Sequence, residues 1–162
     1  MVGVGISARL HLVRDGSWIP SKFENIRAED FRCTSDRTHG YNCIAWAAGK
    51  TDSWWWPVDD PAAFWPLARL PIGEERVEHF TAAFATEGYE ICEDDRFELG
   101  FEKIAIFVDG DIPTHAARLL PSGLWTSKLG QGEDIEHTTL RALEGSEYGE
   151  ARVFLKRRIR AV

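Results

Sequence analysis

The pattern of the chain changes period at Gly88, and this change limits the fold more than any other feature. Before it, residues 74–87 repeat Val77, Phe80, Thr81 and Phe84 at spacings of three and four, with acids in the first turn, as an amphipathic helix does. After it, residues 89–92 form a short extended piece, and 103–109 are a nearly continuous apolar run ending at a turn, which marks a central strand. Asp109-Gly110-Asp111 signals a hairpin, and Pro121-Ser122-Gly123 signals a second turn. Residues 114–120 and 124–129 therefore read as two further strands of an antiparallel meander. Residues 134–143 read as a short helix and 151–155 as a last strand. Helices first and a meander afterwards predict an α+β domain, with N-terminal helices packed on a three- to four-stranded antiparallel sheet.

The first 40 residues are the least patterned. Asp15-Gly16-Ser17 and Ile19-Pro20-Ser21 are turn signals, so this segment is expected to wrap the domain. His39-Gly40-Tyr41-Asn42 is a turn that offers Asn42 as the N-cap of a short helix over 43–48, stopped near Gly49. Asp59-Asp60-Pro61 resembles another helix start, leading into Ala62-Ala63-Phe64-Trp65. No repeat and no long linker divides the chain, which predicts a single domain over 1–162 with its core at 41–158.

A formal charge of −7 argues against non-specific nucleic-acid binding, which depends on neutralising phosphates. Lys156-Arg157-Arg158-Ile159-Arg160 is a local exception and reads as a solvated strand end. Three cysteines (Cys33, Cys43 and Cys92) are an odd number and too few for a disulfide scaffold. The first eleven residues lack the basic-then-apolar pattern of a signal peptide, and no apolar run approaches the roughly 20 residues that cross a bilayer. The expected setting is a reducing cytoplasm, with no membrane partner.

Cys43 is the candidate nucleophile. At the start of a helix it faces unpaired N–H groups and the positive end of the helix dipole, which favour thiolate over thiol. His115, in Pro113-Thr114-His115-Ala116-Ala117-Arg118, sits on the expected second strand and is the candidate base. A histidine base needs an orienting group, and the candidates are Ser127 on the next strand and Asp134 beyond it. Lys128 is a poor orienter, since a like charge disfavours imidazolium. His137 reads as a surface or capping histidine. The competing account makes Cys43 a small core hydrophobe and His115 a satisfied sheet histidine.

Trp54-Trp55-Trp56-Pro57 supplies three of the seven tryptophans in succession, and three adjacent side chains cannot all face one core. At least one is expected at the surface or in a cleft, so Trp54, Trp55 and Trp56, with Asn42, are candidate substrate-binding residues. Arg118 is read first as an ion-pair partner of Glu102 across the sheet, and alternatively as a binder of a substrate carboxylate.

A cysteine at a helix start followed by a histidine on a later strand resembles the papain-like core of NlpC/P60 and CHAP-type amidases. The resemblance implies Cys43 as nucleophile, His115 as base and the Cys43 N–H as part of an oxyanion hole. The chain departs from those enzymes in lacking Asp-Cys-Ser and in its Trp-rich insert. Over residues 30–158, the segments Tyr41-Asn42-Cys43-Ile44-Ala45-Trp46-Ala47, Trp54-Trp55-Trp56-Pro57, Pro113-Thr114-His115-Ala116-Ala117-Arg118 and Trp125-Thr126-Ser127-Lys128-Leu129-Gly130 also resemble a family of small bacterial proteins without an established activity.

The resulting expectation is a cysteine-dependent hydrolase or acyl-transfer enzyme, without cofactor or metal, acting on an amide, thioester or isopeptide bond of a peptide, protein or small acyl substrate. Two alternatives stand beside it. One is a non-catalytic module that captures a protein partner on its aromatic surface. The other is a small structural zinc domain using Cys33, His39, Cys43 and Cys92, although their spacing fits no common zinc pattern.

Overall fold

The computed structural model describes residues 16–160. The first eleven residues, expected to carry no signal peptide, lie outside that range. The architecture is mainly β and corrects the expected one, a papain-like α+β core with helices on a three- to four-stranded sheet. Among the described residues there are three short α-helices: α1 (Ile19–Lys22), α2 (Cys43–Ala47) and α3 (Val77–Ala85). The nine strands are β1 (Phe31–Cys33), β2 (Trp54–Trp55), β3 (Ala63–Phe64), β4 (Glu90–Cys92), β5 (Phe101–Asp109), β6 (Ile112–Leu119), β7 (Trp125–Lys128), β8 (Asp134–His137) and β9 (Glu150–Arg158). Seven of them form one antiparallel sheet in the order β1-β8-β7-β6-β5-β9-β4, and β2 pairs β3 in parallel beside it.

The meander of β5, β6 and β7 is the middle of this sheet, and its margins come from segments whose local pattern is weak. Residues 134–137 pair with both β7 and β1 instead of starting a helix. Only a 3-10 turn, Arg141–Leu143, is helical farther on. The expected helix after Asp59 is replaced by a turn in which the Asp60 carboxylate takes the Ala62 N–H at 2.8 Å. That turn leads Ala63 and Phe64 into pairing with the tryptophan strand.

Both sheet faces are buried, so the central strands read as apolar runs rather than alternations. On one face Ile104, Ile106, Ala116 and Leu155 pack against α2, α3 and Trp55. On the other, Phe107, Ala117, Leu119, Trp125 and Ile135 pack against Ile19, Phe23, Ile26 and Leu143. Among the described residues no helix is long and apolar enough to cross a membrane.

Two features of the central strands shape the surroundings of His115. β5 slips register on both of its ladders between Ile106 and Val108, and such bulges re-aim neighbouring side chains. β6 and β7 pair only at Arg118–Thr126 and Leu119–Trp125, so they part toward His115. Helix α2 packs across that opening, in contact with both strands.

Candidate active site

Asn42 fixes the start of α2. Its buried amide oxygen takes the N–H of Ala45 at 3.1 Å and the N–H of Trp55 at 3.1 Å, while its amide nitrogen donates to the Trp55 carbonyl at 2.9 Å. Gly49, at φ 79, ends the helix in the left-handed conformation that glycine adopts without strain. One side chain thus caps the cysteine helix and docks the tryptophan segment against it. Trp55 enters the core, Trp56 packs edge-on against the buried Phe80, and Trp54 and Trp56 each stay half-buried. They line a cleft of about 770 Å³ whose wall includes Cys43, Asn42 and Val58.

Cys43 keeps part of its surface at this cleft, but its sulfur is crowded by the sheet beneath it. Burial pushes the thiol up to about 11, against the N–H groups of Ala116, Ile44 and Cys43 itself and the charge of Lys128, all of which favour thiolate. Burial thus opposes the thiolate that the helix start favours, and is the larger influence. The Ala116 backbone that favours the thiolate lies where β7 has parted from β6, and no hydrogen bond joins Cys43 to His115, whose Nδ1 has no bonded partner among the described residues.

His115 is fully buried on the neighbouring position of β6. Its Nε2 lies 3.0 Å from Ser127 Oγ, Ser127 Oγ lies 2.8 Å from His137 Nε2, and His137 Nδ1 lies 2.8 Å from the Thr139 carbonyl. The carbonyl only accepts, so His137 carries its proton on Nδ1 and accepts at Nε2. Ser127 must then donate to His137 and accept from His115. The hydrogens of the chain are assigned by this bonding, and they leave His115 protonated on Nε2 with a bare lone pair on Nδ1. That Nδ1 is buried and has no hydrogen-bond partner among the described residues. Burial, and then the nearby His137, hold the His115 imidazole well below its usual range, and burial takes His137 down to about 4. Burial favours the neutral form of both rings.

Tyr148 connects the two halves. Its ring stacks on His115, and its hydroxyl is pushed above the usual tyrosine range by burial first and then by the electrostatic influence of Cys43.

The other candidates are placed elsewhere. Asp134 takes no part in orienting His115: it accepts the Tyr41 hydroxyl at 2.5 Å, and burial raises its carboxyl. Lys128 donates to the carbonyls of Thr38, Gly130 and Gly132. Arg118 lies over Trp46 and beside Glu102, at 3.9 Å, and does not line the cleft. Cys33 and Cys92 belong to the two opposite edge strands, so they cannot meet Cys43 around one zinc ion. Among the described residues no group of three or more His, Cys, Asp or Glu side chains is placed to hold a metal.

Sequence reasoning missed His137 and Tyr148. His137 is buried rather than superficial. The signal available for it was the alternation of Ile135 and His137, which fits a strand better than a helix. Tyr148 carried no local signal, because its role depends on a loop folding back from β9.

The family described as Domain of unknown function (DUF7689) matches residues 32–156. The chain belongs to that family. The match spans most of the sheet, from the second residue of β1 into β9, and includes Cys43, His115, Ser127 and His137. Neither a papain-like nor an NlpC/P60 family matches, so the expected kinship with those enzymes is not found. No curated protein and no solved structure matches the chain.

Proposed function

We propose that this protein is a cysteine-dependent acyl-transfer or hydrolytic enzyme in which Cys43 is the nucleophile and His115 the base. The observation that carries the reading is the gap between β6 and β7, which α2 crosses with Cys43 beside Ala116, next in sequence to His115, whose buried Nδ1 has no bonded partner among the described residues. An orphaned buried nitrogen is costly, and its persistence calls for a role. In this reading the imidazole, which at rest lies against Phe107 and Tyr148 with no bond to Cys43, meets the thiol on substrate binding and takes its proton as sulfur attacks an acyl carbon. The S–C bond forms, the bond from carbon to the leaving group breaks, and the proton passes from Nδ1 to that group. Water or a second nucleophile then releases the acyl group by the reverse proton path.

A neutral thiol and a neutral imidazole suit this general-base route better than a preformed ion pair. The chain from Nε2 through Ser127 and His137 keeps the required tautomer. The experiment is acyl capture from p-nitrophenyl acetate, followed by intact mass. One acetyl group per chain on Cys43, none on Cys43→Ala, and capture slowed at least about a hundredfold in a folded His115→Asn protein are expected. Capture that ignores His115→Asn would remove the base from the reading.

A further inference from the structure

Resting on that reading, we infer that the cleft beside Cys43 is an acyl pocket for an uncharged aliphatic or aromatic acyl group. Its walls are the rings of Trp54 and Trp56 with Val58 and Ala63, and its volume of about 770 Å³ lies in the range of pockets that enclose a small molecule. No lysine or arginine lines it among the described residues; besides Cys43, the ionisable side chains at its wall are His39 and the carboxylate of Asp60. Lys128, whose charge reaches Cys43, directs its ammonium hydrogens to the carbonyls of Thr38, Gly130 and Gly132 rather than into the cleft. A carboxylate or phosphate on the acyl chain would lose water there and meet no lysine or arginine, with the Asp60 carboxylate beside it. An apolar chain gains in proportion to the area it hides. Sulfur at the wall of such a cleft places the carbonyl carbon at one end and the chain along the tryptophans.

The test is the single-turnover rate of Cys43 acylation by p-nitrophenyl acetate, butyrate, hexanoate and octanoate, with Cys43→Ala as background. Attack forms the S–C bond and expels p-nitrophenolate, so capture and release read the same step. The rate is expected to rise about threefold to fourfold per added methylene while the chain remains within the cleft. The half-adipate ester, which matches hexanoate but ends in a carboxylate, is expected to react at least about tenfold more slowly. Asp60→Asn narrows that gap, and Ala62→Trp, at the cleft wall, flattens the length series. A flat series in the wild type, with capture intact, would overturn the acyl pocket and leave the Cys43–His115 reading standing. An adipate ester as fast as hexanoate would overturn the exclusion of charge. Capture from none of the esters would take down both readings.

Discussion

Tyr148 lies flat on His115, with ring centroids 4.1 Å apart and planes 7° from parallel. Phe107 closes the imidazole edge-on at 5.2 Å, and a Cβ at Gly149 would collide with the Val108 carbonyl, so the loop carrying Tyr148 is seated tightly on the bulged end of β5. The imidazole is depressed because these rings exclude water from it. In Tyr148→Ala the His115 pKa should climb toward 6.5, followed by proton NMR of the ring. A His115 that still titrates far below its ordinary value would show that Tyr148 is not what desolvates it.

Asn42→Ala should cost about 2–3 kcal/mol in chemical denaturation. It removes an N-cap, usually worth about 1 kcal/mol, and leaves the Trp55 N–H and carbonyl without their side-chain partners. A loss under about 1 kcal/mol would mean that water or a shifted backbone replaces the amide, and that the cysteine helix does not depend on this tie to the tryptophan segment.

The parts of this fold that could be read from the sequence are those whose signals are local. Asn42 before Cys43 and Gly49 after it bound a helix by capping chemistry, and the turn at Asp109-Gly110-Asp111 sets β5 against β6. The sheet is wider than expected because β1 and β8 are only three and four residues long. Strands that short carry no period, and they exist because a distant partner supplies the hydrogen bonds. The site divides the same way. His115 and Ser127 sit on adjacent strands and meet, whereas His137 reaches Ser127 through a strand that reads as a helix start. The helix position favours a thiolate, whereas burial beneath the sheet pushes the thiol up, and burial is invisible in the local sequence.

Acid should destabilise the fold as pH falls from 6.5 toward 4. His137 sits at about 4 in the fold against 6.5 ordinarily, so the native state refuses a proton that the unfolded chain accepts. A depressed histidine contributes stability that is complete above pH 6.5 and is lost as pH falls toward 4. For His137 alone the loss is about 3 kcal/mol, and His115 adds in the same direction. Urea midpoints across that window should fall more steeply for the wild type than for His137→Asn. Equal slopes would mean that His137 is already exposed to protons in the native state.

Ser127→Ala should damage function more than stability. It leaves the His115 Nε2–H and the His137 Nε2 unpaired, a cost of about 1–3 kcal/mol, but it also frees His115 to move its proton to Nδ1. In that tautomer the lone pair facing away from Ser127 is lost, and acyl capture should slow by more than tenfold. Nitrogen NMR of the ring would report the exchange of tautomers. A variant that keeps the wild-type tautomer and rate would remove Ser127 from the account.

The most direct test of His115 as the base for Cys43 is the pH dependence of acetyl capture by Cys43. A thiol pushed up to about 11 and reacting alone should gain about tenfold in rate for each pH unit through the neutral range. With His115 taking the proton, the rate should be level from neutral to mildly alkaline pH and fall only well below 6.5, where the imidazole protonates. A level profile with that acid limb is the predicted result. A rate that climbs tenfold per unit through pH 7 to 9 would contradict the account and leave Cys43 an ordinary buried thiol.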